Sequence, residues 1–490
     1  MLKSLLILLL IPLSTFCLVF SAQARLNTFT GGMTTGYDYD RTKYENSDDE
    51  ALPARTSYLK QLSLGPIFIL ETTSSIDQLT ISYNPDYTYD FENSNNDVDH
   101  HFSLSGYRSF SKRLLLDLSD TFIYSDDPND IETDNISDYN SRRRRYWTND
   151  FNINSTYSYD TGSSFGVGYT YRILRNDDTG PGGYEDYDRH IANLSLQHYI
   201  NSSWNIGATT SYTRGLFDPP DPIVVDRIGD GLESLAPGIT EGVDTQDLSN
   251  DLSEYRAGVT LNWILSQRKT FLVSYNFSGT DYDAILRFNT IIHDFTFGAQ
   301  YQHTTRLSFG LGGGPSYVKT ETFEGNLNYN AYANLDYDLS RHSHFTASVE
   351  KGYDQENFMS DNNTFGSDQG LTEFWQWRMG LSHQLLRDLQ ADLFISYRDE
   401  KQGNFLYGVA TGLENENDLQ TTDRETFREE SIFSTDIYEA GGSLNYSFTQ
   451  DWSTAFHYTY RKQNSDLPND NYDEHRIYLT LTVQKELFRW

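Results

Sequence analysis

Four arginines, two aspartates and five asparagines stand where they could handle a charged or polar solute. They are Arg172, Arg256, Arg378 and Arg398; Asp336 and Asp392; and Asn262, Asn276, Asn328, Asn330 and Asn334. Each lies in a stretch whose alternate residues are apolar, and each falls on the other phase. Guanidinium and carboxylate groups attract counter-charges, while amides donate and accept hydrogen bonds without carrying charge. Thr260, Ser274, Gln300, Gln302 and Asn326 extend the same polar phase. This chemistry suits a wetted wall that meets neutral or weakly charged sugars better than a strongly anionic polymer. The same groups would also serve simply to fill and brace such a wall.

Other charged motifs are less directed. "SRRRRYW" (141–147) could grip phosphates of lipopolysaccharide or an anionic glycan, or pair with the acids between Asp126 and Asp138. The acidic stretches 176–188 and 354–370 do not match a twelve-residue calcium loop with its closing Glu. Of eleven histidines, none forms an HExxH; His342 and His344 share a turn, and His198, His383 and His457 occur singly. "FGLGGGPSY" (309–317) lacks the strand-to-helix context of a phosphate loop and reads as a glycine-lined strand. No local signature of a Ser/His/acid site appears. The reading is therefore no enzyme, no cofactor, no metal site and no nucleic-acid partner.

The elements that must position these residues are strands. In "GNLNYNAYANLDYDLS" (325–340), Leu327, Tyr329, Ala331, Ala333, Leu335 and Tyr337 alternate with Asn326, Asn328, Asn330, Tyr332, Asn334 and Asp336. A period of two gives one apolar and one polar face. "YRAGVTLNWIL" (255–265), "FGVGYTYRI" (165–173), "LQADLFISYR" (389–398) and "WQWRMGLSHQL" (375–385) repeat it. Tight links such as "DTGSS" (160–164), "LSQRK" (265–269) and "LSRHS" (339–343) alternate with long acidic stretches, among them 45–50, 124–138, 217–250 and 400–436. The pattern predicts an all-β chain: a transmembrane antiparallel up-and-down barrel of about 20 strands (roughly 18–22), with short periplasmic turns and long acidic extracellular loops.

Composition alone points elsewhere. A net charge of −33 and 37% hydrophobic residues lean towards disorder, yet 36 Tyr, 29 Phe and 7 Trp contradict it. Residues 1–24 read as a signal peptide, with Lys3, an apolar run and a small-residue ending Ala22-Gln23-Ala24. Residues 25–490 form the barrel. Cleavage removes the single cysteine, Cys17, so disulfides and thiolate metal sites are excluded. No later segment approaches the roughly 18 continuous apolar residues of a membrane helix.

Lipid is the expected neighbour of the apolar face. A soluble sandwich of so many strands would need two aliphatic inner faces and protected edges. Here the apolar face is narrow and aromatic, with Tyr near strand ends as in an interfacial girdle. At the C-terminus, "HRIYLTLTVQKELFRW" alternates through Ile477, Leu479, Leu481 and Val483, but Phe488 and Trp490 fall on the opposite phase. A bulge or a frayed end would absorb one residue there, and the assembly signal is imperfect as it stands. Outer-membrane proteins of Gram-negative bacteria end in such an aromatic strand, which the barrel-assembly machinery reads; lipopolysaccharide and outer-membrane lipid are the other expected partners.

The first strand ("FTGGMTTGYDYD", 29–40), the early "YNPDYTYDF" (83–91), the signal peptide and the aromatic terminus resemble the outer-membrane β-barrel porins associated with bacterial exopolysaccharide and exosortase loci. That resemblance spans the mature chain and implies an outer-membrane channel, with polysaccharide export as a working idea. It transfers no site residue. No plug domain fits ahead of Phe29, unlike a TonB-dependent transporter, and no passenger is present, unlike an autotransporter. The expected activity is a passive pore for hydrophilic solutes. The alternatives are a structural or adhesive barrel closed by its own loops 217–250 and 400–436, and, more remotely, a rim hydrolase.

Overall fold

The computed structural model describes residues 25–44, 55–126, 145–177, 186–218, 251–283, 289–320, 323–355, 371–403, 432–466 and 471–490. Twenty strands account for nearly all of them. The first ten are β1 (Leu26–Tyr44), β2 (Arg55–Thr73), β3 (Asp77–Asp90), β4 (Asn95–Ser109), β5 (Leu114–Ser125), β6 (Tyr146–Asp160), β7 (Ser163–Asn176), β8 (Tyr187–Asn201), β9 (Trp204–Phe217) and β10 (Leu252–Ser266). The second ten are β11 (Lys269–Tyr282), β12 (Thr290–Gln302), β13 (Leu307–Thr320), β14 (Phe323–Ser340), β15 (Ser343–Gln355), β16 (Leu371–Leu386), β17 (Leu389–Gly403), β18 (Ile432–Ser447), β19 (Trp452–Ser465) and β20 (Tyr472–Arg489). No helix occurs among the described residues.

Each strand pairs antiparallel with the next, and β20 pairs with β1, so the sheet closes and has no edge. Closure satisfies the backbone amides and carbonyls internally, as a hydrocarbon environment demands. Strands of 12 to 19 residues exceed the roughly 9–11 that cross a bilayer, so the wall stands clear of the membrane on at least one side. Short turns join the strands at one end, the turn end. The longer connections and the described hairpin at 91–94 lie at the other, the loop end. The strands reach into the predicted loop 400–436, because β17 continues to Gly403 and β18 begins at Ile432. The remainder of that loop and 219–250 lie outside the described residues, as does most of the arginine run.

Alternation fixes the two faces. Leu327 (72% exposed), Tyr329, Val259, Trp263, Phe297, Leu311, Leu393 and Leu479 project outwards into an apolar belt. Trp204 stacks on Trp263 at 5.6 Å near the turn end, and Tyr212 packs against Tyr255, tilted by 45° with centroids 5.2 Å apart, nearer the loop end. Valine and leucine positions such as Val167, Leu194 and Val259 lie between the two aromatic zones. Four outward histidines near the loop end, His100, His190, His293 and His475, hydrogen-bond to Tyr83, Tyr169, Tyr275 and Tyr458 at 2.8–3.0 Å.

The C-terminal phase change has a clear cause. Phe29 faces Phe488 while Thr30 faces Glu486, leaving Leu487 as the extra residue of a bulge. The bulge returns Phe488 to the outer phase, where its ring lies 6.2 Å from that of Phe29. The glycine-rich segment is strand β13, with Gly310, Gly312 and Gly314 on its inner phase.

Candidate functional site: the inner wall

All eleven residues singled out in the sequence lie on the inner phase of their strands, but they do different things there. Arg256 and Arg378 are the water-facing guanidiniums. Arg256 is 52% exposed with Glu254 at 3.6 Å, and Arg378 is exposed with no ion pair among the described residues. Arg172 is committed to Asp150, with Nε donating at 2.8 Å. Arg398 departs from the expectation of a lining residue. It is 1% exposed, lies over the Phe374 ring at 4.2 Å and pairs with Glu400. A guanidinium so enclosed braces the wall instead of meeting solute.

The amides divide the same way. Asn262 donates to Asn205 at 2.9 Å, and Asn330 accepts from Thr296 at 3.1 Å. Asn328 donates to Glu373 at 3.0 Å and accepts from Lys351 at 2.9 Å, which ties it into a knot of polar side chains with Tyr353. Asn276 and Asn334 lie over Gly258 and Gly310, where a Cβ would collide with them. Asp336 is half exposed beside His344, at 3.5 Å, and Asp392 accepts from Gln390 at 3.0 Å and Ser443 at 3.3 Å.

Charge on this wall is stratified. In the loop-side halves of the strands, Asp150, Arg172, Arg189, Glu254 and Arg256 form one cluster over β6–β10. Arg398, Glu439, Arg461, Glu474, Arg476 and Asp38 form another over β17–β1. The two stand about half the circumference apart, on opposed walls. Arg476 closes the last seam by donating to Asp38 at 2.6 and 3.2 Å. Towards the turn end, amides, hydroxyls and glycines prevail, including Asn154, Gly168, Asn205, Gly207, Thr260, Asn262, Ser443 and Asn445.

Two features of the wall escaped the sequence reading. Asp150, Arg189 and Glu254 in the first charged cluster, and Asp38, Glu439, Arg461, Glu474 and Arg476 in the second, are not singled out there; their phase, as with Glu254 against Tyr255, Arg461 against Tyr460 and Glu474 against Ile477, is the available signal. An apolar cluster of Tyr146, Leu174, Tyr187, Phe217 and Leu252 also packs on the inner phase at the loop end. Leu174 shares its phase with Arg172, and Phe217 shares its phase with Thr213. Nearby and outside the strands, burial pushes the Asp186 carboxyl above the usual range, against hydrogen bonds from Asn176. Of the arginine run, Arg145 is spent locally on Asp97 and Asp99.

A closed barrel with an apolar outer belt, aromatic zones and a polar inner wall is an outer-membrane β-barrel, and the chain belongs in a bacterial outer membrane. No family model matches the sequence, and no curated protein does. Solved structures match the fold. The FrpB iron transporter from Neisseria meningitidis (F5-1 variant) aligns with a TM-score of 0.53 at 9% identity, over 94% of this chain and 82% of that one. The siderophore receptor PirA from Pseudomonas aeruginosa aligns at 0.47 and 10% identity, over 94% and 80%. OpdQ from the same organism aligns at 0.39 and 10%, over 94% and 98%. At these identities the likeness is one of fold.

Proposed function

We propose that this chain forms a passive channel for hydrophilic solutes across the outer membrane, favouring neutral or weakly charged sugars, with polysaccharide export as one use of such a pore. The observation that carries this reading is the water exposure of the inner wall. Arg256, Asn334, Asp336, Ser348, Glu350 and Arg378 all point inwards and all are exposed. A barrel of about twenty strands leaves an aqueous interior instead of filling itself with side chains. The inner wall offers amide and hydroxyl groups around most of its turn-side circumference, which matches the hydrogen bonding of a polyol. The loop end faces the cell exterior in this reading.

Purified protein in a planar bilayer tests it. The expected result is a steady open current with a preference for cations, because the chain carries a net charge of −33. Oligosaccharides should interrupt that current. Protein that inserts and never conducts would overturn the reading in favour of a structural barrel.

A further inference from the structure

We infer that the inner wall near the turn end carries a binding subsite for a neutral saccharide, built on β3–β6; this rests on the channel reading and deepens it. A cavity of about 300 Å³ opens there, within the usual range of small-molecule sites. Thr80, Ser105, Tyr107, Asp117, Ser119 and Asn154 line it.

Register makes these residues one patch. Tyr107 faces Asp117, and Asp117 faces Asn154, in one cross-strand row. Thr80 faces Ser105, and Ser105 faces Ser119, in the next. Immediate cross-strand neighbours lie about 4.5–5.5 Å apart, so the two rows present their polar groups together.

What sets the patch apart is that its hydrogen-bonding capacity is unspent. On the loop side, Arg172 is held by Asp150, Arg398 by Glu400 and Arg476 by Asp38. In the cavity, the side chains of those six residues make no hydrogen bond or ion pair among the described residues. Gln78 and Asn152 line the same cavity but are engaged, Gln78 with Glu71 at 2.8 Å and Asn152 with Asp150 at 3.1 Å, so the free capacity lies with the other six. Tyr107 is 38% exposed, and neither ring nor cation packs on it.

An open aromatic face beside a carboxylate, a primary amide and three hydroxyls is the chemistry that holds a sugar ring. The apolar C–H face lies on the phenol, and the hydroxyls at the rim exchange hydrogen bonds with planar acceptors and donors. The carboxylate of Asp117, with Glu71 behind Gln78, disfavours an anionic sugar. The site therefore selects neutral saccharides as they pass the turn end.

The test reads ion current through the full chain in a planar bilayer, with maltoheptaose, cellohexaose or a galactohexaose added on the turn side. At least one should block the open current reversibly. Tyr107→Ala and Asn154→Ala should each raise the blocking constant by about tenfold, the loss expected for one stacking or hydrogen-bond contact. Tyr107→Phe, which keeps the ring, should block nearly as wild type does. Oligogalacturonate, the anionic counterpart, should block weakly in wild type and more strongly in Asp117→Asn. Conduction without block by any neutral oligosaccharide, or block that ignores Tyr107 and Asn154, overturns the subsite and leaves the channel standing. If the protein never conducts, the channel reading falls. Calorimetry in detergent with the same oligosaccharides and variants then decides the subsite separately.

Discussion

Tyr332 shows how single residues shape the inner wall. It lies on the inner phase of β14, yet its ring lies flat across β13 and β12 instead of standing into the lumen. The space it takes is the missing side chain of two glycines. A Cβ at Gly312 would come within 2.5 Å of its Cε1, and a Cβ at Gly298 would meet its hydroxyl and, at 3.1 Å, Leu272. Gly312→Val should therefore lift the ring off the wall. The expected outcome is a loss of about 1–3 kcal/mol in urea unfolding from vesicles, the usual cost of overpacking. A smaller open current should accompany it as the phenol enters the lumen. Gly312→Val with Tyr332→Ala should restore both, and failure of that rescue would refute the contact. The sequence made these glycines legible as a strand lane, but not their partner. Tyr332 reads as one more polar residue on an amide face until the register sets it beside Gly312.

At the scale of the element, β20 tests how far alternation can be trusted. Its phase is readable from Ile477 to Val483 and then reverses, because one inserted residue flips every later side chain to the other face. The bulge resolves this. Leu487 bulges out and lies over Gly31, where a Cβ would come within 2.6 Å of its Cδ1. Deleting Leu487 should leave Thr30 opposite Glu486 and Phe29 opposite Phe488 in a regular ladder. The variant should fold into vesicles with wild-type yield, read as heat-modifiable migration on gels. Gly31→Val should impair folding in the wild-type background and be tolerated in the deletion. A deletion variant that fails to fold would show that the bulge itself is required. The Arg398 assignment failed for a related reason: phase tells which way a side chain points, not what covers it. Glu400, two residues along the same phase, and Phe374, on the neighbouring strand and remote in sequence, take up that guanidinium.

The whole molecule is defined by what each face touches, and neighbouring residues of one strand can report both. Val259 and Thr260 sit mid-strand on β10, with Val259 outward at 45% exposure and Thr260 inward. Val259 pairs with Ala208 and Tyr275, and Thr260 pairs with Gly207 and Ser274. An arginine at Val259 would place a guanidinium in the hydrocarbon, with only small or aromatic neighbours to shield it. At the membrane midplane this costs about 2–4 kcal/mol in a barrel of this kind. An arginine at Thr260 would enter water beside a glycine and a serine, which leave room for its stem. Val259→Arg should therefore lower the folding free energy in vesicles by about that amount, while Thr260→Arg should stay within about 0.5 kcal/mol of wild type. In the proposed channel, Thr260→Arg should also weaken the expected preference for cations, because it adds positive charge to the inner wall. Urea titration of both variants in the same vesicles, followed by reversal potentials for the second, makes the comparison. Equal destabilisation would mean that both faces are packed in protein, as in a soluble sandwich. A larger penalty at Thr260 would put the lipid on the wrong side of the wall.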